Sequence, residues 1–132
     1  MVVFNGTARV VVDEAKDLKM TQWSTRFGKA TALDTYVNVD IDETVVGSTK
    51  TVAKTACPHW SEEFNTEIHN GKCFGFTVFH DSAIPPDEFV ANCQISLEDL
   101  KANQMNDVWV DLEPSGRLHV KIELNGTALE GQ

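Results

Sequence analysis

Residues 117–124 constrain the fold more than any other stretch. They alternate without a break, with Leu118, Val120, Ile122 and Leu124 on one side and Arg117, His119, Lys121 and Glu123 on the other. A period of two marks a strand with one face in a core and one in water. Such a strand needs partners, and the chain supplies them. Residues 7–15 set Ala8, Val10 and Val12 against Arg9, Val11 and Asp13, and Leu18 closes the segment into the core. Asp34-Thr35-Tyr36 opens a strand carrying Val37, Val39 and Ile41; Asp42-Glu43 turns it, and residues 45–52 return with Gly47 as a bulge. Residues 60–68 fit a strand with Trp60, Glu62, Phe64, Thr66 and Ile68 on one face, or a helix with Trp60, Phe64 and Ile68 aligned; Pro58 and the β-rich context favour the strand.

Asn70-Gly71 reads as a tight hairpin turn, and Asn5-Gly6 and Asn125-Gly126 as turn signals of the same kind. Strands follow at 73–79 and 89–95, then a short helix over 97–102 capped by Ser96, a strand at 108–112, and a turn at 113–116. Eight short strands separated by turns predict an all-β fold, an antiparallel β-sandwich of one domain over residues 1–126, with 127–132 as a frayed tail.

The net charge of −9 excludes a broad basic face for nucleic acid or for anionic lipid. Cys57, Cys73 and Cys93 are odd in number and lack a CxxC spacing, which predicts reduced thiols rather than a disulfide framework or a zinc site. The N-terminus lacks the pattern of a signal peptide, so the expected location is cytoplasmic. No nucleophile elbow or phosphate-binding loop occurs, and no catalytic residue and no cofactor are expected. His119 is placed on the outward face of its strand.

Two loops carry the chemistry. The first, residues 19–33, interleaves Trp23 and Phe27 with Arg26 and Lys29. Trp favours a bilayer interface and Arg or Lys pairs with lipid phosphate, whereas an end cap on the sandwich is the competing structural role for these aromatics. The second, between the strands at 73–79 and 89–95, has Pro85-Pro86 at its tip, apolar Ile84 beside it, and His80, Asp81, Asp87 and Glu88 around it. Proline cannot donate to a ladder, so the tip lies outside any sheet. If both loops meet at one end, Asp34, Asp81, Asp87 and Glu88 are enough carboxylates to raise calcium as a ligand.

The motifs D-x-Y-V at 34–37, P-H-W-x-x-E-F at 58–64, V-F-H-D at 78–81, E-F-V-A-N-C at 88–93 and D-L-E-P-x-G-R at 111–117 resemble those of C2 domains. With M-V-V-F-N-G at 1–6 and Trp23-Ser24-x-Arg26, they resemble most the N-terminal C2 domain of the novel, calcium-independent protein kinases C of the epsilon and eta class. The resemblance implies the permuted C2 topology of those kinases. It also implies a regulatory, non-catalytic fragment of a serine/threonine kinase, with diacylglycerol-binding modules and a kinase domain beyond Gln132.

The resemblance argues against calcium: His80 and Ser82 stand where calcium-binding relatives carry aspartates, so no metal is expected. It implies recruitment from cytoplasm to anionic, phosphatidic acid-containing membrane through Trp23, Arg26, Phe27, Lys29, Ile84 and Pro86, with an aromatic of close relatives missing at Pro86. An anchoring protein or the kinase's own diacylglycerol-binding module is the alternative partner. The segments implied for that docking contain Glu14, Lys16, Asp17 and Leu18, and His80, Asp81, Ile84 and Asp87. Phosphotyrosine binding is a third possibility, with only Lys50 and Lys54 to support it.

Overall fold

The computed structural model describes residues 2–19, 33–83 and 85–130. Strands β1 (Val2–Lys16), β2 (Thr35–Ile41), β3 (Thr44–Ser48), β4 (His59–Gly71), β5 (Cys73–His80), β6 (Glu88–Ser96), β7 (Met105–Asp111) and β8 (Arg117–Glu130) form two four-stranded sheets. One has the order β4-β1-β8-β7 and the other β3-β2-β5-β6, and every pairing is antiparallel. The predicted sandwich is therefore the observed fold. First and last strands lie side by side at the centre of one sheet.

The alternations fill the space between the sheets. Val10 and Val12 from β1 and Leu118, Val120 and Ile122 from β8 meet Val37 and Val39 from β2 and Phe74, Phe76 and Val78 from β5, all fully buried. Residues 60–68 form a strand rather than a helix, with Trp60 and Ile68 buried and the odd-numbered residues exposed. Trp60 also joins the two sheets: its indole N–H donates to the carbonyl of Thr35 at 3.0 Å. Asp42 and Glu43 turn β2 into β3 with φ of 48° and 71°, the left-handed geometry that two-residue hairpins require. The bulge expected near Gly47 falls between the pairs Val39–Gly47 and Asp40–Val45.

Several local expectations are corrected. Asn70-Gly71 does not close a hairpin. Asn70 has φ of 52°, and a single residue, Lys72, carries the chain from β4 in one sheet to β5 in the other. Asp42 supports the crossover by accepting from the amides of Lys72 and Cys73 at 3.1 and 3.0 Å. Nor are the other two Asn-Gly pairs turns. Gly6 and Gly126 face each other in the β1–β8 ladder, with φ of 153° and 151°. A Cβ on either would collide with a carbonyl oxygen of the opposite strand. Asn5 instead bonds the Asn70 amide N–H at 2.9 Å and holds the start of β1 against the end of β4.

Residues 127–130, expected to fray, continue β8 and pair with 2–5, because the long β1 offers them a ladder. The helix after Ser96 shrinks to a 3-10 turn, Leu97–Asp99, and the Ser96 side chain makes no cap. Buried Leu97 gives its amide, which has no acceptor within the turn, to the carbonyl of Lys72 and so ties the turn to the β4–β5 crossover.

Truncation of the buried Ile122 to Ala should cost about 2–5 kcal/mol, against roughly 0.5 kcal/mol or less for Val45→Ala on the exposed hairpin. Urea midpoints at unchanged slope provide the measurement.

Candidate functional site

The site is built from the strand ends where β1, β5 and β7 finish and β2, β4, β6 and β8 begin. Thr35 pairs with His80, and His80 with Glu88, so the feet of both functional loops sit on neighbouring strands. Three hydrogen bonds lock these feet. The Asp34 amide donates to His80 Nδ1 at 3.1 Å, the Asp81 amide donates to the Asp34 carbonyl at 2.8 Å, and Asp34 Oδ1 accepts from the Lys54 amide at 2.8 Å. Lys54 adopts φ of 57° to present that amide, so the connection between β3 and β4 is tied into the same corner.

The other aspartates act in the same way. Asp81 accepts from the Thr51 hydroxyl at 2.9 Å. Asp87 closes its own loop: Oδ1 accepts from the Ser82 amide at 3.0 Å and Oδ2 from the Tyr36 hydroxyl at 2.6 Å. Asp34, Asp81 and Asp87 thus satisfy backbone and hydroxyl donors on separate elements. Among the described residues, they are not part of any group of three or more acids, histidines or cysteines close enough to share an ion. Glu88 has one carboxylate oxygen shut off from solvent without a hydrogen-bond partner.

The Tyr36–Asp87 bond shapes both partners. Burial, then the hydrogen bond and charge of Asp87, push the Tyr36 hydroxyl up to about 12. The bonds from Tyr36 and Ser82 hold the Asp87 carboxyl below the usual aspartate range.

Trp23, Arg26, Phe27, Lys29 and Ile84 lie outside the described residues. Pro86 is exposed at the tip next to Pro85. Of the proposed docking residues, His80 and Asp87 are half-buried, and Asp81, Lys16 and Asp17 are exposed. Leu18 is in the core, where the alternation of the first segment places it: it is 4% exposed and its amide donates to the Ala56 carbonyl at 3.2 Å, so of that docking segment it is the side chain turned away from solvent. Glu14 is half-buried, with Oε2 3.9 Å from His119 Nδ1. His119 is on the outer face, as the alternation places it, where it stacks on Trp109 with ring centroids 4.8 Å apart and is enclosed by Asp13, Glu14 and Asp107.

One apolar feature was not legible in the sequence. Tyr36 and Phe79 stack at 5.6 Å on neighbouring strands, and Phe89, opposite Phe79 on β6, is 51% exposed. These aromatics flank the strand ends that carry the Pro85-Pro86 loop. Phe89 looked like an ordinary first strand residue, and only the bulge that pairs Phe79 with Phe89 brings it beside the stack.

An eight-stranded antiparallel sandwich with adjacent terminal strands and a functional loop end is the architecture of a C2 domain. The family model for the C2 domain matches residues 6–112, and the chain belongs to that family. Several of its relatives are protein kinases C. It is 50% identical over 97% of its length to "Protein kinase C-like 1B" of Caenorhabditis elegans, and 41% identical over 98% to "Protein kinase C epsilon type" of Oryctolagus cuniculus. It is 39% identical over 96% to "Protein kinase C eta type" of Homo sapiens. The chain spans about a fifth of these relatives, 19%, 19% and 20% of their lengths, so it corresponds to their C2 domain and not to a kinase domain. Among solved structures, "Structure of a C2 domain" superposes with a TM-score of 0.71 at 19% identity, over 89% of this chain and 96% of that one. That likeness concerns the fold.

Tyr36 is the chain's one tyrosine, so tyrosinate absorbance reads it alone. Its titration should centre near pH 12, and in Asp87→Asn it should fall part of the way back towards 10, because burial persists. A raised tyrosine and a lowered aspartate both stabilise the fold between the ordinary aspartate range and about pH 10. The tyrosine contribution disappears as pH rises through the folded value, and the aspartate contribution as pH falls through its own. An unchanged titration in Asp87→Asn would contradict the bond.

Proposed function

We propose that this domain directs a novel-type protein kinase C to anionic, phosphatidic acid-containing membranes without calcium. One observation carries the reading: at the loop end, Asp34, Asp81 and Asp87 are hydrogen-bonded to the protein itself, while Pro85, Pro86 and Phe89 face solvent. A calcium-binding end needs several carboxylate oxygens free to converge on one ion. An end organised by internal bonds keeps its loops arranged without the ion, and its apolar tip can enter the bilayer interface. Trp23, Arg26, Phe27 and Lys29 in the first loop, and Ile84 in the other, supply aromatic and cationic lipid contacts in this mechanism. In the resting kinase the same loops cover the diacylglycerol-binding module, which couples release from autoinhibition to translocation from cytoplasm to membrane.

The second reading is docking to an anchoring protein through Glu14, Lys16, Asp17, His80, Asp81 and Asp87. The net charge of −9 favours it, since it opposes a general attraction to anionic lipid.

Co-sedimentation with phosphatidic acid vesicles tests the proposal. Binding should be the same in calcium and in chelator and should weaken as salt rises, because Arg26 and Lys29 lose their attraction to phosphate. It should fall at least roughly tenfold in the double variant Trp23→Ala/Ile84→Ala, which removes two large apolar contacts. Binding that requires calcium would overturn the mechanism, and absence of binding in both conditions would favour the docking reading.

A further inference from the structure

A second cluster lies on the outer face of the sheet that holds β1 and β8. Its origin is a bulge. Asp13 is the extra residue between the pairs Val12–Val120 and Glu14–His119, so two successive side chains of β1 reach the same imidazole. His119 Nδ1 lies 2.9 Å from Asp13 Oδ2 and 3.9 Å from Glu14 Oε2, and the three donor atoms fall within 4.8 Å of one another. The bulge is matched on the β4 side, where Ser61, at φ of 50°, donates its hydroxyl to Asp13 Oδ1 at 2.9 Å and leaves Oδ2 turned to the imidazole.

The two ring nitrogens of His119 have different surroundings. Nε2 lies against Asp107 Oδ1, a carboxylate that can only accept, so in the neutral ring the proton sits on Nε2 and the lone pair on Nδ1. Nδ1 is closed to solvent and makes no aligned hydrogen bond, with Asp13 Oδ2 2.9 Å away as its nearest charged neighbour. A ring nitrogen closed to solvent, lacking an aligned hydrogen bond and facing two carboxylates, has the donor set for a bound cation. The Asp107–His119 bond is the outer-shell contact that metal-ligating histidines nearly always make.

The geometry points to a site for a divalent transition metal of the zinc type, held by Asp13, Glu14 and His119. Tetrahedral zinc with bonds of about 2.0–2.2 Å needs donors about 3.3 Å apart, and the observed 2.9 and 3.9 Å bracket that spacing. An imidazole donor with two carboxylates selects this class over calcium, which takes six to eight oxygens. The fourth position falls to water, since His59 approaches only Glu14, with Nδ1 4.0 Å from Oε2, and is not part of the group. Bound there, the metal joins β1, which lies between β4 and β8, to β8. Nothing in it depends on the lipid loops.

Calorimetric titration of the chelator-stripped chain with zinc chloride should give one bound metal, uncompeted by calcium, and cobalt should give the visible absorption of a four-coordinate site. His119→Gln and Asp13→Asn should abolish it, and Asp107→Asn should weaken it about 10–100-fold. His69→Ala, whose ring is exposed beside Glu67, should leave it unchanged. Nitrogen-15 spectra should place the zinc-induced shift of His119 on Nδ1; Asp107→Asn supplies the reading if His119→Gln fails to fold. No stoichiometric binding, full binding in His119→Gln or Asp107→Asn, or loss of binding in His69→Ala would overturn the site.

Discussion

The pairing of β1 with β8 is the constraint on which the rest of the structure depends. It joins the two ends of the chain along the centre of one sheet, from Val2–Glu130 to Lys16–Arg117. A ladder of that length is continuous only because Gly6 and Gly126 permit the strands to approach where any side chain would strike a carbonyl. Further along, the ladder absorbs one extra residue at Asp13. The inner faces stay in register with the core, and the outer face acquires the carboxylates that enclose His119. Core and surface chemistry therefore come from the same pairing.

At the loop end, the polar groups serve structure first. Buried or half-buried amides need partners, and here the partners are aspartates. Asp34 reaches the connection between β3 and β4, Asp81 reaches Thr51, and Asp87 draws Ser82 and Tyr36 together. In the proposed mechanism this network is what arranges the strand ends without a bound cation. The exposed prolines and Phe89 then form an apolar edge on a rigid base. Rigid presentation is what interfacial insertion requires, since ordering a loose loop would cost part of the binding free energy.

Much of the fold was legible because it rests on period-two patterns: 117–124, 7–15 and the even-numbered residues from Trp60 to Ile68 all bury the side the alternation designates. At the loop end the acids stood out in the sequence, but the donors they bond, Lys54, Thr51, Ser82 and Tyr36, did not. Features that depend on a distant partner were not legible. Asn-Gly carries the same local signal in a turn, at a sheet crossover and in a close-packed ladder; at 5–6 and 125–126 the opposite strand decides the outcome. His119 does lie on the outer face, but its enclosure by Asp13, Asp107 and Trp109 depends on three other strand positions and has no local signal. The aromatic cluster at Tyr36, Phe79 and Phe89 spans three strands and is invisible in any single window.

The central claim is that the loop end is organised by its own carboxylates and not by calcium. Amide hydrogen exchange at Lys54, Asp81 and Ser82 tests it most directly, because these amides donate to Asp34 Oδ1, the Asp34 carbonyl and Asp87 Oδ1. The account predicts slow exchange in calcium-free buffer and no change when calcium is added. Rapid exchange in the absence of calcium, slowed by its addition, would show that the ion assembles this end and would contradict the account.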